Sequence, residues 1–289
     1  MGIAELEARR REAQLAALLR GREHAIASGD VRRQIEAWNE VGGAMIFGRT
    51  PVREALAFVE EELAWARERG LPAVEADALL GGPYLYARLG QFDEARGRLE
   101  RSKAICRELG IAYGLAEAHM AGSEMEILAE DAAAAERELR DAVAVAEEMG
   151  ASRYVALYRA RLAHVLAVLG RDDDALAELE GSRELFGDAP KWKVTHARVL
   201  ARRGRTAEAV DIAREAAAFM EGNDDVTAHA EILVDLAEVL REHGDATGAA
   251  HALADALALH EGKGNLVAAE QCRRRLAALP PEGTGATSP

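Results

Sequence analysis

The 289-residue chain carries 36 Lys and Arg against 50 Asp and Glu, a formal net charge of −14, and 49% of its residues are apolar. Phosphate binding needs clustered cations, so this balance excludes a nucleic-acid surface as the main function. Two cysteines, Cys106 and Cys272, make no disulfide framework, and no apolar run approaches the roughly 20 residues that cross a bilayer.

Ala, Leu, Glu and Arg dominate, and all four lose little side-chain freedom in a helix. Strand-length β-branched runs between turn signals are absent, so the expected class is all-α. Residues 3–28 read as one charged helix containing Leu6, Leu15, Leu18, Leu19 and Ile26, closed by Ser28-Gly29-Asp30. It has the character of the second helix of a pair whose first helix is missing. Its apolar content favours a chain that is part of something longer over a simple end cap. The charged opening from Glu5 to Arg11 is unlike a secretory leader, which places the protein in the cytoplasm. The basic runs Arg9-Arg10-Arg11 and Arg273-Arg274-Arg275 read as solvated helix faces.

From residue 30 onward a repeat governs the sequence. A turn marker recurs at Gly48, Gly90, Gly170, Gly204 and Gly244, with Glu130 in the vacant slot, at spacings of 42, 40, 40, 34 and 40 residues. Five residues after the last five markers stand Ala95, Ala135, Ala175, Ala209 and Ala249. Seven before them stand the compact residues Pro83, Ser123, Ala163, Ala197 and Ala237. Gly at such a marker supplies the left-handed backbone that ends a helix without a Cβ penalty. Small residues let two helices approach where they cross. A second set of breaks at Gly70, Gly110, Gly150, Gly187, Gly222 and Gly262 closes each unit. The spacing predicts helix pairs over about 30–69, 72–109, 112–149, 151–186, 190–221 and 224–261, a closing helix over 265–278, and a disordered tail over 280–289. Residues 1–279 are expected to form a single repeat domain, a right-handed α-solenoid of antiparallel helix pairs.

The Gly turn, the acidic residue and Ala after it, and the paired-helix length resemble tetratricopeptide repeats, although the units are longer and lack the usual closing proline. Ile46-Phe47-Gly48-Arg49-Thr50-Pro51-Val52-Arg53-Glu54-Ala55 resembles a turn in the C-terminal helical region of large bacterial signalling ATPases. Many of these are actinobacterial and carry an adenylate-cyclase-like domain. His260-Glu261-Gly262-Lys263-Gly264-Asn265-Leu266-Val267-Ala268-Ala269 resembles the last repeat of the same region. The resemblance implies a tetratricopeptide-like superhelix with a regulatory or sensing role. No cyclase or ATPase module is present, so it carries over no catalytic residues.

The chain holds no P-loop, no Gly-x-Ser-x-Gly elbow and no His-Glu-x-x-His. Asp172-Asp173-Asp174 lacks the alternating ligands and central Gly of a calcium loop and suits a helix start. Runs such as Glu60-Glu61-Glu62 read as solvated faces. The expectation is a protein that is not an enzyme, with no cofactor and no metal.

Helix-pair solenoids present their first helices on one concave face. Six residues before the markers stand Tyr84, Glu124, His164, Arg198 and Glu238. Thirteen before stand Asp77, Glu117, Lys191 and Glu231, and Arg88 lies two before its marker. This mixed-charge row is the candidate surface for a protein or peptide partner, with no nucleic acid and no membrane. Trp38 and Trp65 are expected in the core; Trp192, between Lys191 and Lys193, is expected to be partly exposed. The sequence leaves the oligomeric state open. The leading function is a non-catalytic interaction scaffold with a regulatory role in bacterial signalling. The alternative is a peptide or small-ligand sensor controlling an associated signalling ATPase, cyclase or transcription regulator.

Overall fold

The structure, a computed structural model, describes the backbone of residues 3–280 and the side chains of residues 14–280. The tail expected to be disordered over 280–289 lies, apart from its first residue, outside the described residues. Among the described residues the chain is entirely helical, with no strand. A long helix α1 (Ile3–Ser28) comes first. Six pairs follow: α2 (Val31–Phe47) with α3 (Val52–Glu68), α4 (Pro72–Arg88) with α5 (Phe92–Leu109), α6 (Ala112–Leu128) with α7 (Ala132–Glu148), α8 (Ser152–Val168) with α9 (Asp172–Phe186), α10 (Pro190–Arg202) with α11 (Thr206–Met220), and α12 (Val226–His243) with α13 (Ala246–Lys263). The last described helix is α14 (Leu266–Ala278).

The turn inside each pair is one device used repeatedly. At Gly90, Gly170, Gly204 and Gly244 the backbone is left-handed, with φ between 74° and 88°. Glu130 adopts the same conformation at φ 62°, the sole non-glycine to do so among the described residues. At each, the marker's N–H reaches back three residues and the next N–H reaches back five. Gly90 N–H donates to Ala87 O and Gln91 N–H to Tyr86 O; Glu130 N–H donates to Ile127 O and Asp131 N–H to Glu126 O. These bonds occupy carbonyls that a helix end leaves orphaned. The next helix is then held at its start by a side-chain cap where the sequence supplies one: Asp131 accepts from Ala134 N–H and Asp245 from Gly248 N–H.

Three expected breaks are built otherwise. Gly48 is extended (φ −78°, ψ −162°) because Pro51 starts the next helix after a short non-helical bridge. Gly187 stays right-handed at φ −57°, its N–H bonded to Arg183 O. Gly262 lies inside α13, and the left-handed cap is Gly264, with Asn265 starting α14.

By internal contacts the helices fall into two compact units. One holds residues up to 151 together with 222–226; the other holds 152–221 and 227 onward. In the first unit, Trp38, Val41, Val52, Ala55 and Val59 form a core beneath α1, and Ala87, Ala95, Leu99, Ala118 and Met125 form the next. The helices cross closely there: a Cβ placed on Gly122 would lie 2.9 Å from Leu99 Cδ2. In the second unit, Ala197, Ala213, Ile232, Ala237 and Leu253 share one core spanning α10 to α14. Ala163 and Ala197 are fully buried, as the repeat register requires at a helix crossing.

Candidate functional site

First helices of successive pairs lie side by side within each unit, α4 against α6 in one and α8 against α10 in the other. Equivalent register positions are therefore brought next to each other.

In the first unit this face carries Asp77 and Tyr84 on α4 and Glu117 and Glu124 on α6. Tyr84, Glu117 and Glu124 are half-buried, and Asp77 is exposed. The Tyr84 ring packs edge-on against Phe47 at 5.3 Å, which fixes it between the pairs. Asp77 meets solvent, yet enough protein surrounds its carboxyl that lost hydration, with the Glu117 charge adding to it, raises its pKa above the ordinary value. The Asp77 charge acts on Glu62 of α3, which is 5% exposed. Burial first and the Asp77 charge second push its carboxyl up to about 8, against the opposing pull of Arg22. Glu62 Oε1 has no hydrogen-bond partner.

Arg88 departs from the expected row. It is 4% exposed and its Nη1 donates to Ile46 O at 2.5 Å, so it ties α4 to the end of α2 and offers nothing to a partner. The run Glu60-Glu61-Glu62 departs from a solvated face in part, since Glu61 is exposed, Glu60 half-buried and Glu62 buried. Glu60 accepts from Tyr86 Oη and pairs with Arg98, Glu61 pairs with Arg22, and Glu62 is buried.

In the second unit the row becomes a closed ion network. Lys191 Nζ of α10 donates to Glu231 Oε2 at 3.3 Å and to Asp235 Oδ2 at 3.2 Å, both on α12. Arg198 Nη1 donates to Asp235 Oδ1 at 2.5 Å, and His164 Nδ1 of α8 stands 3.7 Å from Asp235 Oδ2. Burial, the largest single effect, would raise both carboxyls; Lys191, the other cations around them and the hydrogen bonds they donate together outweigh it and hold both below their ordinary values. Burial and then Lys191 push His164 down to about 3, so it is neutral near pH 7. The structure thus brings His164, Lys191, Arg198 and Glu231 together, where they are taken up by one another and by Asp235. Asp235, which centres them, was missed by the fixed-offset row. Glu238 sits aside, paired with Arg241 and Arg275.

Trp192 is buried, contrary to expectation, because its Nε1–H donates to Leu179 O and Ser182 Oγ across the neighbouring helix. Trp38 is a core residue. Among the described residues, no three His, Cys, Asp or Glu side chains are placed to hold a metal ion, and no helix is long and apolar enough to cross a membrane.

No protein-family model and no curated protein matches the chain in sequence. Solved structures match it in fold. A Rap protein complexed with Competence and Sporulation Factor superposes with a TM-score of 0.70 at 14% identity, over 95% of this chain and 73% of that one. BtubC from P. vanneervenii superposes with a TM-score of 0.51 at 14% identity, over 82% of this chain and 96% of that one. The chain has a tetratricopeptide-like helical repeat fold. At these identities the likeness concerns architecture, and the matched proteins assign no residue of this chain a role.

Proposed function

We propose that the chain is a non-catalytic binding scaffold whose first-helix face takes an extended protein or peptide segment, and that this binding is regulatory. The observation that carries the reading is the register. Polar side chains at one fixed offset from the turn are half-buried, and within each unit adjacent first helices set them side by side, while both helices of every pair contribute apolar residues to the core. Such a face offers hydrogen bonds at the repeat spacing to a segment lying across it. A Rap protein of the same fold is complexed with Competence and Sporulation Factor, which supports binding as the use of this architecture. The regulatory part, acting on an associated signalling ATPase, cyclase or transcription regulator, rests on the resemblances at residues 46–55 and 260–269.

The test is selection of binders from a random peptide library on the full chain, then titration calorimetry on variants. Tyr84→Ala and Glu117→Ala are expected to weaken the selected peptide at least tenfold, since a few residues carry most of an interface's free energy. Arg137→Ala and Glu180→Ala, at exposed second-helix positions, are expected to leave it unchanged. Arg98 is not a suitable control: its guanidinium pairs with Glu60 and Glu94 and stacks on Tyr86. Equal binding by all four variants would reject the first-helix face.

A further inference from the structure

Where α1, α2 and α3 meet, three side-chain atoms with no hydrogen-bond partner lie in one neighbourhood: Glu62 Oε1, Trp38 Nε1 and Arg22 Nε. The Arg22 guanidinium covers the Trp38 ring at 3.9 Å and the Phe58 ring at 5.3 Å. Phe58 and Glu62 are one turn apart on α3. Both face Gly42, at the register position that carries Tyr84 and Glu124 in later pairs. A Cβ there would sit 3.8 Å from Phe58 Cε1 and 4.0 Å from Glu62 Oε2. The missing side chain leaves room beside the Glu62 carboxyl.

The charges around that opening are unbalanced. Asp77 of α4 acts on Glu62, and Glu117 of α6 acts on Asp77, each raising the next. Arg22 of α1 is the cation that acts on Glu62, and it is already bound to Glu61 at 2.5 Å and stacked on Trp38. Asp77 makes no ion pair among the described residues. A buried carboxyl oxygen left unpaired beside a second carboxyl is a costly arrangement unless something else supplies the donors. These carboxyls are not placed to hold a metal ion. Two carboxyls on adjacent helices fit a larger, planar, multi-donor cation, which a guanidinium is.

We propose that Glu62 and Asp77 form a subsite for a cationic side chain of the bound segment, arginine by preference, and that this subsite fixes the segment's register on the first-helix face. The proposal rests on the binding reading above. Arrival of the cation ionises Glu62, and its proton passes to the buffer, so binding near pH 7 releases about one proton. Arg22, Glu61, Asp77 and Glu117 are the charged groups that tune this exchange.

The experiment uses the full chain and the peptides selected from the library. The expected result is a Lys or Arg at one shared position. Its replacement by citrulline should weaken binding roughly 30-fold, as loss of charge-assisted hydrogen bonds would. Asp77→Asn should abolish most of that discrimination with the circular dichroism spectrum unchanged. Calorimetry at pH 7 in phosphate and in Tris should show proton release by the wild type and none by Glu62→Gln. Peptides without a basic position, or an Asp77→Asn variant that still prefers arginine to citrulline, would overturn the subsite while leaving peptide binding intact. If the library yields no binder, the parent reading fails, and the subsite is judged on agmatine as a free guanidinium probe at ionic strength matched with NaCl. Agmatine should raise the melting temperature of the wild type more than that of Asp77→Asn; equal shifts would overturn the proposal.

Discussion

Glu62→Gln should make the protein more stable at neutral pH, and the gain should depend on pH in a defined direction. In the unfolded chain the Glu62 carboxyl titrates near its ordinary value of 4.5, whereas burial and then Asp77 push it up to about 8 in the fold. Between these values the unfolded chain binds fewer protons than the folded one. Stability therefore falls as pH rises through this window, and the loss is complete above about 8. At pH 7 the folded protein still holds the proton that the unfolded chain has lost, which at roughly 1.4 kcal/mol per pH unit gives an upper figure of about 3 kcal/mol. Local rearrangement around the charge reduces this, and about 1–3 kcal/mol is expected. Gln keeps the shape of the protonated acid and has no proton to lose. The assay is urea unfolding of both proteins at pH 4.5, 6, 7 and 8, followed by circular dichroism. The difference between them should be small at pH 4.5 and grow with pH in favour of Gln. A difference that is flat with pH, or one that favours the wild type at pH 8, would refute the assignment of a neutral, buried carboxyl.

Three further substitutions probe the repeat. Glu130→Gly removes a Cβ from the left-handed turn at φ 62° and should stabilise by about 1 kcal/mol, the balance of relieved strain and greater unfolded-state freedom; a lower melting temperature would mean the Glu130 side chain does more than occupy the turn. Ala197→Leu places three extra carbons in a fully buried crossing and should cost ~1–3 kcal/mol in chemical denaturation, so an unchanged midpoint would contradict the packing. Asp235→Ala removes the shared partner of Arg198 and Lys191, 15% and 19% exposed, and leaves Lys191 with Glu231; it should cost about 3–5 kcal/mol. Because the Asp235 carboxyl is held below its ordinary 3.8, the stability it contributes is fully present above that pH and is lost only in stronger acid, so the wild-type advantage measured by urea midpoint should be constant from pH 5 to 8.

The helix-pair plan was legible because its turns obey a backbone rule. A left-handed residue ends the first helix of the later pairs, glycine fills that place most cheaply, and spacing alone located the single exception at Glu130. Gly187 and Gly262 share the spacing without the conformation, since hydrogen bonding in the last turn, and not composition, decides where a helix stops. The site was harder to read because a fixed offset from the turn treats polar residues as surface. Glu62 falls on the α3 stripe of Val52, Ala55, Val59 and Ala66, and Asp235 on the α12 stripe of Ile232, Leu236 and Val239, at the three- and four-residue intervals of an apolar face. A charge on such a stripe is the sequence signal for a buried ionisable group. Arg88, seven residues after Gly81 and three after Leu85, carries the same signal. Its bond to the Ile46 carbonyl has none, because that acceptor is backbone.

The two units use the same register positions differently, and the difference bears on where a ligand gains most. Lys191 and Glu231 occupy equivalent positions 40 residues apart, and so do Asp77 and Glu117. The first pair is opposite in sign and is locked further by Asp235, Arg198 and His164. A ligand binding there would have to replace several charge-assisted bonds before forming its own, and an exchange of equivalent contacts yields little net affinity. The second pair is alike in sign, so that the Glu117 charge adds to burial in raising Asp77, and Asp77 in turn acts on the buried Glu62, whose Oε1 has no hydrogen-bond partner. A cation arriving there breaks no ion pair of Asp77 and relieves repulsion that is already present. Equal register therefore carries unequal energetics: the repeat supplies the row of positions, and the sign of the charge placed on each one decides whether that segment of the row is tied up in ion pairs or left with unrelieved repulsion.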